Sequence, residues 1–201
     1  MASKIDVYNL ALGHIGTSTT VSDDMERSPE RVICARYWET CRDALLSYKD
    51  MRWGFATAQE PLSDIGNPPF GWAYRYRYPN DCINALGIVG ATGRTELQEA
   101  RAPFIVAYEA DGRVILTDAP QAVLSYTKRI DEVERWPAYF VEAMAYRLAS
   151  MIVMPLKSDA GMRNDLIALA EQFAQIAMAA SLNEGEPDPL RPSIYEQELH
   201  A

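Results

Sequence analysis

Histidine is almost missing from this 201-residue chain, which holds only His14 and His200. A histidine-based metal site or catalytic relay therefore has little to be built from. His14 falls at the end of a helical pattern, where an imidazole can meet free carbonyls, and His200 has no catalytic neighbours in sequence. Cysteine is scarce as well. Cys34, Cys41 and Cys82 are an odd number with no CxxC pair, so they give neither a disulfide framework nor zinc spacing. Such thiols suit a protein made in a reducing cytoplasm and packed as small apolar residues. Cys34 and Cys41 share a helix face, and packing is preferred there over a metal or redox role, which would need further ligands. There is no run of about 18 apolar residues, so no membrane span is expected. The opening MASKIDVYNLALGHIG lacks a basic start followed by an apolar block and reads as a mature start, not a secretion signal. Gly87, Gly90 and Gly93 are too widely spaced for a phosphate cradle and lack the lysine of a P-loop. No cofactor is expected.

Positive charge is in deficit. Nineteen Lys and Arg stand against 28 Asp and Glu, giving a net charge of −9 and a pI near 4.8. Sequence-specific DNA reading normally needs a basic patch and is disfavoured. An acidic surface that repels DNA can itself be useful. What is present is an ordinary globular composition, 48% hydrophobic and 23% charged, on a chain long enough to bury a sizeable core.

Four helical stretches frame a β-rich middle. The first starts at Ser3, a plausible N-cap, and carries Ile5, Tyr8, Leu12 and Ile15 at helical spacing before Gly16 closes it. Thr17 to Arg27 reads as a polar loop. Ser28-Pro29-Glu30 opens the second, whose stripe is Ile33, Tyr37, Cys41, Ala44, Leu45 and Tyr48. Pro61, Gly66, Pro68, Pro69 and Gly71 then break any helix. Trp72, Tyr74, Tyr76 and Tyr78 fall two apart on one strand face, with Arg75 and Arg77 on the other. Ile83–Val89, Phe104–Tyr108, Val114–Thr117 and Val123–Ile130 are further strand candidates, with a hairpin turn at Ala110–Arg113. Helices return at Trp136-Pro137, again with proline at the first turn, and Phe140, Ala143, Met144, Leu148, Met151 and Ile152 lie on one stripe. Arg147 lies within that stripe, and Pro155 is expected to end the helix. The last helix, from about Asp159 to Leu182, carries Met162, Leu166, Leu169, Phe173, Ile176 and Ala180 at similar spacing, and its many alanines permit close helix contacts.

The simplest fold is α+β: a helical bundle built from both chain ends (1–56 and 131–184), an inserted small antiparallel β-module (57–130) and an extended C-terminal arm (185–201). That arm holds three prolines, four acidic residues and one arginine, and cannot form a core alone. Its apolar residues Leu190, Ile194, Tyr195 and Leu199 look like anchors for a partner.

Chemistry is thin elsewhere. Arg42-Asp43 could be half of a catalytic site, but charged residues near a core are usually paired, so Arg42, Asp43 and Arg147 are read as structural charge pairs. The aromatic run with interleaved arginines could be a stacking platform for nucleic acid. Such a surface wants both residue types on one side, and alternation puts them on opposite sides, so a half-buried strand is the better reading. A nucleic-acid module would require Arg75, Arg77, Arg94 and Arg101 to cluster. No acid, base and nucleophile stand together, and no enzyme activity is expected.

Within Ser28–Leu62, the small residue Cys34, Tyr37, Arg42-Asp43, Leu46 and Trp53-Gly54-Phe55-Ala56 come in an order that resembles the tail tubular protein A family. These are the head-to-tail adaptors beneath the portal of short-tailed phages. Pro69-Phe70-Gly71-Trp72-Ala73-Tyr74-Arg75-Tyr76-Arg77-Tyr78-Pro79-Asn80-Asp81-Cys82 resembles the family's aromatic strand and turn. Tyr8–Gly16 and Ala145-Tyr146-Arg147-Leu148-Ala149 also fit. The resemblance leaves the extreme C-terminus uncovered. It implies a structural virion protein made in the host cytoplasm, with neither cofactor nor catalytic residues. It also implies a dodecamer-like ring joining the portal to the tail nozzle or tail fibre proteins, through which genome DNA passes unbound. A head-completion protein of a longer-tailed phage is the alternative virion reading.

Overall fold

The computed structural model describes residues 2–89, 102–110 and 112–184, and the chain is mixed α+β. Helix α1 spans Lys4–His14 and opens with a capping box: the Ser3 hydroxyl accepts from the Asp6 N–H while the Asp6 carboxylate accepts from the Ser3 N–H. Two of the free donors at the helix start are thereby satisfied. Gly16, at φ 68°, turns the chain out of the helix. The following loop is pinned back on α1 by Asn9, whose amide donates to the Val21 carbonyl (2.9 Å) and accepts from the Val21 N–H (2.8 Å).

Helix α2, Pro29–Leu46, has Ser28 as N-cap and proline at its first position, the arrangement expected from sequence. Helix α3, Ala138–Lys157, differs from expectation at both ends. Pro137 is the cap and not a first-turn residue, and the helix runs through Pro155 to stop at Ser158 in a left-handed conformation. A proline one turn from the end loses only its own hydrogen bond and keeps a helical φ, so it need not terminate the helix. Helix α4, Ala160–Asn183, is capped by the Asp159 carboxylate.

Helix α3 packs against α1, α2 and α4. Ten of its residues, Phe140 to Val153, are buried, and no helix among the described residues is long and apolar enough to cross a membrane. The core around it joins Val7–Ala56 residues to Ile130–Ala177 residues in one cluster. Its centre is a chain of ring contacts. Tyr8 meets Trp38 edge-on (5.3 Å), Trp38 stacks on Trp136 (5.5 Å), and Trp136 meets Phe140 (5.1 Å). Phe140 also touches Trp53 (5.1 Å) and Phe55 (4.8 Å). Two buried indole N–H groups are satisfied by backbone, Trp53 by Leu46 and Trp136 by Ile130.

Helix α4 corrects the expected stripe. Its buried face is Leu166, Ala170, Ala174, Ala177 and Ser181, whereas Leu169 and Ile176 are 36% and 49% exposed. Small side chains let the two backbones approach, so the alanine row wins the contact with α3 and the larger residues rotate outward.

Between α2 and α3 lie six strands: β1 Thr57–Pro61, β2 Tyr74–Arg77, β3 Cys82–Val89, β4 Phe104–Glu109, β5 Gly112–Thr117 and β6 Val123–Lys128. They form two antiparallel three-stranded sheets, β1-β6-β3 and β2-β5-β4. Sequence alternation suggests one small module and gives no separate strand at Thr57–Pro61. That strand is short and half-exposed, with Pro61 on the edge of its sheet, where a missing donor is tolerated. The inward faces of the two sheets share a second core: Tyr76, Tyr78 and Ile115 meet Ile88, Leu124 and Tyr126. Tyr76 and Tyr78 are buried and Arg77 is exposed as alternation predicts, but Arg75 is largely covered. The hairpin of β4 and β5 closes with Glu109 opposite Gly112, and Gly112 takes φ 117°.

Replacing Phe140 by alanine removes the ring that Trp53, Phe55 and Trp136 all touch, which should cost about 3–5 kcal/mol. Thermal unfolding should fall by about 10 °C, while the half-exposed Ile105→Ala stays within about 2 °C of the parent.

Candidate functional site: a charge seam and a ring stack

Polar contacts concentrate where the helices meet the sheets. Arg42 lies on the inner side of α2 with its side chain only 6% exposed. Its Nε donates to Asp43 Oδ1 (2.8 Å) and its Nη1 donates to Asp131, in the segment after β6. Arg129, also just past β6, reaches back to the same Asp43 with both Nη2 (2.9 Å to Oδ2) and Nε (3.4 Å to Oδ1). Asp43 thus accepts from two guanidiniums, one from its own helix and one from the exit of a strand 86 residues away. The seam continues through Asn84 of β3, whose amide donates to Asp50 Oδ1 (3.2 Å), and through Thr127 Oγ1, which donates to the Met51 carbonyl (3.4 Å).

Arg42 and Asp43 stand out in the sequence; Arg129 and Asp131 do not. Their only signal is the mixed charge of Lys128-Arg129-Ile130-Asp131-Glu132, which looks like any solvated strand exit. Arg147 departs from expectation. It is half-buried on α3 and in no ion pair among the described residues, and it contributes through its backbone carbonyl, which accepts from Ser150 Oγ (2.7 Å) and lies 3.9 Å from Cys41 Sγ. The predicted anchors Leu190, Ile194, Tyr195 and Leu199 lie outside the described residues, as do Arg94 and Arg101.

The second concentration is aromatic. His14 does not cap carbonyls at the end of α1. It stacks on Tyr146 of α3 (3.9 Å, 15°), which stacks on Phe173 of α4 (4.2 Å, 16°). Its Nε2 is buried without a hydrogen-bond partner, and desolvation holds its pKa below the usual histidine value, opposed by the charge of Glu142. Beside it runs an apolar groove of about 400 Å³ lined by Leu10, Trp136, Val141 and Ala145. The cysteines are buried and inert: desolvation raises Cys34 to about 12 and Cys41 and Cys82 to about 11. No three His, Cys, Asp or Glu side chains among the described residues are grouped to hold a metal ion. No protein-family model matches the chain, and no curated protein does.

The seam carries a clear ordering of mutational effects. Asp43→Ala leaves the buried Arg42 with only the well-exposed Asp131 and should cost about 3 kcal/mol, seen as a drop in Tm of about 8 °C. Arg129→Ala removes a pair whose guanidinium is already well hydrated and should cost under about 1 kcal/mol. Equal losses would contradict the arrangement.

His14 gives a pH signature. Its depressed folded pKa means that folding favours the neutral ring, so its contribution is present above the unfolded value near 6.5 and is lost as pH falls through the lower folded value. His14→Phe keeps the stack and removes the titration. The wild-type Tm should fall relative to the variant between about pH 7 and pH 5; parallel curves would contradict it.

Proposed function

We propose that this chain is a structural virion subunit, a head-to-tail adaptor that assembles as a ring between the portal and the tail nozzle of a short-tailed phage. In this reading the four helices form one bundle from both chain ends, residues 57–130 project as an inserted module, and the arm from residue 185 docks on the portal or a neighbour through Leu190, Ile194, Tyr195 and Leu199. No catalytic step is assigned to it.

The observation that carries the reading is a pair of large exposed apolar residues on each flank of α4. Leu169 and Ile176 are 36% and 49% exposed on one flank of the mostly alanine inner face, and Ile167 and Leu182 are 48% and 61% exposed on the other. A ring needs a heterologous contact on each side of every subunit, and exposed apolar residues on two sides suit that. The excess of acid supports the same role. With a net charge of −9 per copy, a ring in which a share of these charges lines the passage would neutralise few DNA phosphates and release few counterions, so the genome would slide through without holding. The order and spacing of the motifs from Tyr8 to Ala149 add the family resemblance.

Mixing the full chain with the portal ring of the same phage and measuring the mass of the product tests this directly. About one chain per portal subunit is expected, with Ile194→Asp together with Tyr195→Ala abolishing attachment while leaving Tm unchanged. A chain that stays monomeric beside a correctly assembled portal overturns the reading.

A further inference from the structure

Against the acidic background, one recess is basic. It measures about 600 Å³ and is lined by Arg75 and Arg77 of β2, Arg113 of β5, Ile65, Tyr78 and Pro79. The aromatic alternation that buries Tyr76 and Tyr78 leaves the β2 arginines at its wall. Arg75 donates through Nη2 to Glu109 and through Nη1 to the Gly66 carbonyl (3.4 Å), yet its Nε is buried and has no partner. The Arg113 guanidinium lies 4.0 Å from the centre of the Tyr78 ring and donates to the Cys82 carbonyl (3.4 Å). Arg77 is exposed and in no ion pair among the described residues. Glu109 is the only described carboxylate bonded to any of the three. Three guanidiniums therefore share one bonded acid, and the exposed Arg77 and Arg113 keep donors open to an incoming anion.

We propose that this recess binds the carboxylates of an acidic peptide, and that the peptide is the segment 185–201 of a second copy of this chain. The segment carries Glu186, Asp188, Glu196 and Glu198 against one Arg191 and no lysine. Arginine forks match planar carboxylates in bidentate geometry. Tyr195 next to Glu196 gives an aromatic side chain for the Ile65–Pro79 wall while the acid meets Arg77 and Arg113. Seventeen extended residues reach about 55 Å, enough to cross to a neighbour. Duplex DNA is the poorer ligand, since its one charge per about 1.7 Å of axis is repelled by the chain's net charge of −9 more strongly than a short peptide is. The inference rests on the ring reading for its second copy, but its test needs no portal, so the two fail separately.

The test adds a fluorescein-labelled synthetic peptide of residues 185–201 to the full chain and follows anisotropy at about 50 mM salt. Saturable uptake is expected, weakened about tenfold or more when Arg77→Ala and Arg113→Ala are combined and likewise when the peptide carries Glu196→Gln and Glu198→Gln. Both arginines are exposed, so an unchanged Tm confirms that the double variant folds. Sedimentation of the full chain should show the same double variant self-associating less. Equal uptake by parent and variant, or no uptake by a chain that stays monomeric at every concentration, overturns the proposal. Arginine-dependent binding of a duplex DNA oligonucleotide in place of the peptide also overturns it and reassigns the recess to nucleic acid.

Discussion

Helix α3 needs cover on three sides, and much of the structure is the consequence. Its buried residues run from Phe140 to Val153, too apolar to face water and too few to fold alone. The cover is drawn from both sides in sequence, α1 and α2 before it and α4 after it. The ring contacts from Tyr8 through Trp38, Trp136 and Phe140 to Trp53 show how tightly this is specified. Aromatic pairs favour edge or offset geometry and contribute beyond their buried area. Each ring in the series therefore fixes the position of the next element. Because residues before 57 and after 130 share one core, the stretch between them is left to build its own, and the second cluster around Tyr76, Ile115 and Tyr126 is that core.

Two cores need a defined junction, and here it is polar. Asp43 is bonded by Arg42 and Arg129, and Arg42 also bonds Asp131, so α2 and the exit of β6 hold each other through charge-assisted hydrogen bonds. An apolar junction could slide; directional bonds to a partly buried guanidinium cannot do so without leaving it unpaired. The seam adds modest stability and fixes orientation, which matters more if the sheets must meet a second subunit at one angle.

Local signals were legible and long-range ones were not. The caps at Ser3 and Ser28 are set by side chains within three residues of the donors they satisfy, and sequence displays such pairs openly. Strand alternation placed Tyr76 and Tyr78 inward for the same reason. The stripe of α4 holds at Leu166, Met162 and Phe173 and fails at Leu169 and Ile176, because periodicity ranks hydrophobicity whereas the fit against α3 ranks size. Arg42-Asp43 was visible as a pair, but Arg129 and Asp131 join it across 86 and 89 residues, and no periodicity encodes that distance. Arg147 looked like a buried cation and turned out to matter through its carbonyl. The division into two sheets depends on which strands pair, information that alternation within each strand does not contain.

The outward residues of α4 and the net charge pull in opposite directions, and their balance bears on assembly. Copies with a net charge of −9 repel one another at long range, while Ile167, Leu169, Ile176 and Leu182 attract only on contact. At physiological ionic strength repulsion is screened beyond about 8 Å, so it slows encounter more than it weakens a formed interface. On the proposed ring reading, such a chain resists casual aggregation through these residues and joins a partner when something holds the two in register long enough for them to meet. A template ring would supply that, and so would a small complementary contact, such as acidic residues meeting the arginines around Tyr78. On that reading the acid excess discourages wrong pairings and the apolar flanks of α4 stabilise the right one.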